Sequence, residues 1–155
     1  MYNWGEMFRR KLITASLTAS LYSLFFGFIA LGPYSVQLDS VSKHPYEYFT
    51  GILFNSVYIF SFVFIYGIAT SSLTEFLITK FNFKPRVLLM GVGHSIFGLI
   101  FWYFSLIPAM MFFLIDQILF YQKNKNNKFL IVISILLPIV IFIVSKYFSQ
   151  VYYNG

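Results

Sequence analysis

The chain has 155 residues, of which 59% are hydrophobic and only 10% charged, and its mean hydropathy is +0.75. Soluble domains carry roughly 25% charged residues, so the composition excludes an ordinary soluble domain and predicts a single all-α bundle of membrane-spanning helices surrounded by a lipid bilayer. The net charge of +6 does not indicate a nucleic-acid partner, because the basic residues lie in short clusters at the ends of apolar runs, where membrane topology requires them. The sequence contains no cysteine, which excludes disulfides and thiolate metal sites.

The N-terminal segment 1–11 combines aromatic and charged side chains and ends in Arg9, Arg10 and Lys11. We interpret it as an anchor at the membrane surface that fixes the orientation of the chain, with a partner-binding arm as the alternative. A cleaved signal peptide is disfavoured, because the next apolar run is longer than a signal-peptide core and lacks a small-residue cleavage motif near Ala30. We therefore expect a retained first span over 12–31.

Small residues form one stripe along this first span. Their spacing of i, i+4, i+7 and i+11 places them on one helical face, where small side chains let another helix approach closely in lipid. We predict a helix-packing face made of Ser16, Ser20, Ser23 and Gly27. A substrate path along the same face is the alternative interpretation.

The polar segment 32–48 is predicted to be an external loop. His44 has Asp39 and Glu47 near it in the sequence, but their spacing fits no metal-binding motif, so we expect no metal site.

The second span is predicted over 49–70, followed by a polar helical stretch and a basic turn over 80–86. Glu75 lies in the polar stretch. We expect its carboxylate to have a structural role near the lipid headgroups, within reach of Lys80, Lys84 or Arg86.

The long apolar segment 87–121 determines the topology. As one helix it would extend ~52 Å, against a hydrocarbon core of ~30 Å. We therefore predict a hairpin that turns near 105–108, with spans over 87–104 and 108–121 and a last span over 129–146. The alternatives are a bundle of four spans and a re-entrant segment in place of 108–121.

Five spans agree with the excess of basic residues that cytoplasmic loops carry. They place the N-terminus in the cytoplasm and the C-terminus outside the cell membrane, with only Lys43 and Lys146 among the external cations. The cytoplasmic clusters would be Arg9/Arg10/Lys11, Lys80/Lys84/Arg86 and Lys123/Lys125/Lys128.

Two ionisable residues, His94 and Asp116, lie within the predicted hairpin. Antiparallel pairing about a turn at residue 105 would place them at the same depth on adjacent arms. We therefore predict an intramembrane polar pair, either a proton- or ion-accepting site or a clasp between the arms. A second small-residue stripe, Gly91, Ser95 and Gly98, lies on the first arm and predicts helix packing.

The sequence has no motif of a metalloprotease, of a serine hydrolase or of a phosphate-binding loop. We expect no catalytic residues, no enzyme activity, no metal and no cofactor.

The pattern of length, hydropathy and composition over the whole chain, rich in Phe, Ile, Tyr, Lys and Asn, resembles the small uncharacterised multi-span membrane proteins of Bacillus-like low-GC Gram-positive bacteria. The resemblance implies an integral membrane protein and assigns no residue a role.

Two functions follow as expectations. The first is a non-enzymatic regulatory, immunity-type or accessory subunit that binds a membrane-protein partner through lateral helix contacts. The second is a small proton- or ion-coupled transporter or channel subunit, as a homo-oligomer, that uses His94 and Asp116.

Overall fold

The computed structural model of the protein describes residues 4–29, 45–100, 103–122 and 128–153. Every regular element within these ranges is a helix, so the predicted all-α fold is confirmed. In chain order the elements are α1 (Trp4–Ile29), α2 (Pro45–Phe62), a π-helical segment (Val63–Gly67), α3 (Ile68–Lys80), α4 (Arg86–Ile100), α5 (Tyr103–Tyr121) and α6 (Lys128–Tyr153). Most of the predicted loop over 32–48, including Asp39 and His44, lies outside the described residues, as do Trp102, Lys123 and Lys125.

Two helical stretches, Tyr48–Lys80 and Phe129–Val151, are long and apolar enough to cross a membrane. They contain the predicted spans over 49–70 and 129–146, and the first continues to Lys80 because α2, the π-helical segment and α3 are one unbroken helix. The helices Arg86–Ile100 and Ser105–Tyr121 are apolar but shorter.

Helix α1 occupies the centre of the bundle and packs against α2, the π-helical segment, α3, α5 and α6. Ala15 and Ala19 form a small apolar core with Val63 and Phe112. The rest of the buried surface of α1 is unusually polar, since it includes Lys11, Thr14, Ser16, Thr18, Ser20 and Ser23.

The surface of the bundle has the opposite character. Large apolar side chains are exposed along every helix, and on α6 they include Ile135, Leu136, Ile139, Val140, Phe142, Ile143 and Val144. Buried hydroxyls combined with an exposed apolar surface are unfavourable in water. In lipid, by contrast, polar side chains are stable only in the interior and apolar ones face the hydrocarbon.

Helices α4 and α5 form an antiparallel hairpin, and α5 begins earlier than the turn predicted at 105–108. Helix α4 ends at Ile100, α5 begins at Tyr103, and Pro108 lies inside α5. Neighbouring helices in an apolar bundle tolerate proline within a helix, so Pro108 does not mark the start of α5. The predicted boundaries at residues 104 and 108 therefore move to 100 and 103.

The residue pairing across the hairpin shifts with the turn. The residue numbers of contacting pairs add to 204 for Gly91 with Phe113, to 205 for Ser95 with Met110 and to 207 for Gly98 with Ala109. A turn at residue 105 would have required a constant sum of 210. All three small residues of the second predicted stripe therefore face α5, but they meet partners nearer the turn than expected.

We expect Gly98→Ala to lower the free energy of unfolding by about 1–3 kcal/mol through overpacking. A Cβ at Gly98 would lie 2.9 Å from the Ala109 Cβ and 3.1 Å from the Leu106 Cα. Gly51→Ala is the matched control, because a Cβ there meets no atom within 4 Å and alanine favours a helix over glycine. Thermal unfolding in mild detergent measures both variants, and equal losses would contradict the close approach of α4 and α5.

Candidate functional site

Five charged side chains converge in the interior at one end of the bundle, and we call them the charge network. Helix α1 contributes Arg10 and Lys11, α3 contributes Glu75, the first residue of α4 is Arg86, and α5 contributes Asp116. The network thus joins four helices through side chains that are distant in the sequence.

The ammonium group of Lys11 lies at the centre of the network. Its Nζ is 2.6 Å from Asp116 Oδ2, 2.9 Å from Glu75 Oε2 and 2.7 Å from the hydroxyl oxygen of Ser71. A lysine has three N–H donors, so these three acceptors satisfy it completely. This explains how a lysine side chain with 0% exposure is stable in the interior.

The two arginines use the remaining carboxylate oxygens. Arg10 donates from Nε to Asp116 Oδ1 at 2.8 Å and from Nη2 to Glu75 Oε2 at 2.5 Å. Arg86 donates from Nη2 to Glu75 Oε1 at 2.6 Å. Every oxygen of Glu75 and Asp116 therefore accepts a charge-assisted hydrogen bond, the strong class of hydrogen bond in proteins.

The aromatic ring of Phe120 lies against both arginines. The guanidinium carbons of Arg10 and Arg86 are 4.9 Å and 4.3 Å from the ring centroid. Arginine stacks on aromatic faces because its guanidinium is planar and weakly hydrated. The ring therefore covers the network on the α5 side and supplies further attraction to the cations.

The network contains three cations and two carboxylates, so it carries one excess positive charge. Exposure increases outward, from 0% for the side chains of Lys11 and Asp116 to 16% for Arg10 and 37% for Arg86. A buried charge without a partner costs several kcal/mol. The arrangement can therefore hold four helices in one register, and its excess charge lies where water can reach Arg86.

The sequence indicated only part of this network. Glu75 was expected near Lys80, Lys84 or Arg86, and it does pair with Arg86, but it is buried and its other contacts are Arg10 and Lys11. The sequence alone predicts a surface anchor for the N-terminal basic triplet. The signal that could have placed Lys11 inside is its spacing, because it lies on the same helical face as Thr14, Ala15, Thr18, Ala19 and Tyr22, which are all buried.

His94 and Asp116 are both buried, but they do not form the predicted hydrogen-bonded pair. Both oxygens of Asp116 are bonded to Arg10 and Lys11. The hairpin register places Phe112 and Phe113 opposite His94, with ring centroids 5.9 Å and 5.6 Å from that of the imidazole. A turn at residue 105 would pair residues whose numbers add to 210. The observed pairing across the hairpin is displaced from that pairing by about one helical turn.

The imidazole of His94 has one satisfied and one unsatisfied nitrogen. Nδ1 lies 2.8 Å from the carbonyl oxygen of Met90, which can only accept, so Nδ1 carries the hydrogen. Nε2 is buried and has no hydrogen-bond partner among the described residues.

A cavity of about 30 Å³ lies beside His94. Its walls come from the π-helical segment, α3, α4 and α5, and include Tyr66, Thr70, Phe97, Ser105 and Phe112. A volume of this size accommodates about one water molecule. It is too small for an organic substrate.

The remaining predicted site residues have packing contacts. Ser16 Oγ donates to the carbonyl oxygen of Ser134 on α6, while the hydroxyls of Ser20 and Ser23 have no partner among the described residues. Gly27 lies in α1 beyond the residues whose side chains are described. Within the described ranges no group of three or more His, Asp or Glu residues could hold a metal ion.

No protein-family model, curated protein or solved structure matches this chain. Its function must therefore be inferred from its own geometry.

A double-mutant cycle should show that Asp116 is coupled to Lys11. We expect Asp116→Leu alone to lower the free energy of unfolding by about 3–5 kcal/mol, because it leaves the Lys11 ammonium buried without a full set of partners. Adding Lys11→Met removes that charge at similar volume and should recover part of the loss, with a coupling energy of about 0.5–3 kcal/mol. Thermal unfolding in mild detergent measures all four proteins.

The control cycle pairs Asp116→Leu with His94→Leu. These two losses should add to within about 0.5 kcal/mol, because the side chains share no hydrogen bond. A His94–Asp116 coupling as large as that of Lys11 with Asp116 would restore the pair expected from the sequence.

Proposed function

We propose that this chain is a non-enzymatic, multi-pass protein of the cell membrane that acts as a regulatory, immunity-type or accessory subunit through lateral helix contacts. The observation that carries the proposal is that polar groups occupy the interior and apolar side chains the outside of the helical bundle. A protein with this distribution of polarity offers its lipid-facing helix surfaces, rather than soluble loops, to a partner.

Contacts at the two ends of the bundle support five spans. At one end, Arg10 near the start of α1 meets residues near the ends of α3 and α5 and, through Glu75, the start of α4. At the other end, the Thr50 hydroxyl near the start of α2 lies 2.9 Å from the Ser149 hydroxyl near the end of α6. These contacts support five traverses of the bundle by α1, α2–α3, α4, α5 and α6, and the excess of basic residues in cytoplasmic loops favours a cytoplasmic position for the cationic end.

The state of the ionisable groups favours lateral contacts over proton transport. Glu75 and Asp116 are held by cations on all four oxygens, so neither is an open proton acceptor. The cavity beside His94 holds about one water. Among the described residues, the transporter alternative therefore rests on the unpartnered Nε2 of His94.

An open groove between α2 and α6 is the best candidate for a lateral contact. It has a volume of about 440 Å³, and its lining includes Ser56, Ser61 and Pro138 between larger apolar side chains. Small residues allow a helix backbone to approach closely in lipid. We propose a transmembrane helix of an unlike membrane protein as its occupant.

The topology predicts an external C-terminus. A phosphatase that is active only outside the cytoplasm, fused after Gly155, should be active, and a fluorescent protein that requires the cytoplasm should be dark at the same position. The opposite pattern would mean that the chain crosses the membrane an even number of times.

The lateral contact can be mapped by cross-linking, since the sequence contains no cysteine. Ser61→Cys places a thiol at the groove, and Ile96→Cys places one on the exposed face of α4 as the matched control. A thiol-directed photo-cross-linker is applied in native membranes. We expect Ser61→Cys to give one adduct, of the same mass in every preparation, that joins this chain to a different membrane protein. Ile96→Cys should give none.

Proton flux in proteoliposomes tests the alternative function. We expect the purified chain to conduct no more than empty vesicles. A flux that depends on the proton gradient and is lost in His94→Phe, together with no specific adduct at Ser61→Cys, would overturn the proposal in favour of a transporter.

A further inference from the structure

The cytoplasmic end of the bundle carries further cationic side chains that are not part of the charge network. The described ionisable side chains at this end are the cations Arg9, Arg10, Lys11, Lys80, Lys84 and Arg86 and the carboxylates Glu6, Glu75 and Asp116. Lys80 and Lys84 are both exposed and form no ion pair with any described residue. Their charges are therefore available to a ligand outside the chain.

Exposed aromatic rings lie beside Lys80, and Lys84 follows the exposed Phe83 in the chain. Trp4 and Phe76 have ring centroids 5.8 Å apart, and those of Phe81 and Phe83 are 5.6 Å apart. The Nζ atom of Lys80 lies 5.7 Å from the ring centroids of both Phe76 and Phe81. We call this surface the aromatic–lysine rim: Trp4, Phe76, Lys80, Phe81, Phe83 and Lys84.

The rim combines two features that suit the boundary between lipid headgroups and acyl chains. Three of its rings, Trp4, Phe81 and Phe83, are 54%, 57% and 52% exposed, and aromatic side chains are favoured at this boundary. Lysine can extend its ammonium from an apolar surface towards the headgroups. Each basic residue close to an anionic leaflet strengthens the binding of the protein to that leaflet by about fivefold.

We propose that the aromatic–lysine rim binds the phosphate groups of anionic phospholipids in the cytoplasmic leaflet, with Lys80 and Lys84 as the phosphate-binding residues. A lipid is favoured over a free phosphate ion, because the rings beside the lysines would contact acyl chains that an inorganic ion lacks. The inference rests on the membrane embedding proposed above.

The test measures the thermal unfolding of the purified full chain in a nonionic detergent. Phosphatidylglycerol, phosphatidylcholine and inorganic phosphate are added separately. We expect phosphatidylglycerol at about tenfold excess over its dissociation constant to raise the Tm by roughly 3–6 °C. Phosphatidylcholine and inorganic phosphate should leave the Tm unchanged.

The double variant Lys80→Gln/Lys84→Gln should bind phosphatidylglycerol roughly 25-fold more weakly, because each lysine contributes a factor of about five. Its Tm without lipid should match that of the unaltered chain, since neither lysine supports the charge network. Lys146→Gln is the matched control: it removes one exposed lysine at the opposite end of the bundle and should leave lipid binding unchanged.

Three results would overturn the inference. These are equal shifts with phosphatidylglycerol and phosphatidylcholine, an equal shift with inorganic phosphate, and full phosphatidylglycerol binding by the double variant. Alkaline carbonate extraction of native membranes tests embedding separately. A chain that carbonate releases would refute the proposed function, whereas a retained chain without a phosphatidylglycerol preference would refute the lipid inference alone.

Discussion

The ion pair between Lys11 and Asp116 is the constraint on which the rest of the structure depends. Both side chains have 0% exposure, so loss of either one leaves the other buried without its full set of partners. Because one lies on α1 and the other on α5, their pairing fixes the depth and rotation of the central helix against the hairpin. Glu75 adds α3 and Arg86 to the same arrangement. In a bundle held together mainly by small residues and weak interhelical contacts, few other interactions specify a single register.

The arrangement also divides the bundle into two chemically different ends. One end concentrates charge inside and basic and aromatic groups outside. At the other end the contacts among the described residues are neutral, such as the stacked rings of Phe49 and Phe148 with centroids 4.9 Å apart. A charged interior at one end and a neutral one at the other would resist inversion of such a chain in a bilayer, because the charged end would have to cross the hydrocarbon.

Local sequence patterns predicted the helices well and their partners poorly. The apolar runs indicated the all-α fold, the hairpin and the small-residue contact at Gly98, because these depend on spacing within one or two helices. The assignment of Asp116 to His94 failed for a physical reason: a hairpin register displaced by one turn places Phe112 and Phe113, not Asp116, opposite the imidazole. The true partners of Asp116 are more than 100 positions away in the sequence, on a helix whose cations looked like a surface anchor. A single sequence contains no pattern that reports such a contact.

The π-helical segment, Val63–Gly67, determines which face α3 presents to α1. Each turn of a π-helix holds more residues than a turn of an α-helix, so the segment offsets the buried face of α3 from that of α2. If this segment became a regular α-helix with all its residues kept, everything beyond it would rotate by about 100°, the step of one residue. Ser71 and Glu75 would then turn away from Lys11 although their own helix stayed intact. The irregular segment therefore accommodates one extra residue while α3 keeps its orientation, and deletion of one residue with a return to a regular α-helix would leave Ser71 and Glu75 facing Lys11.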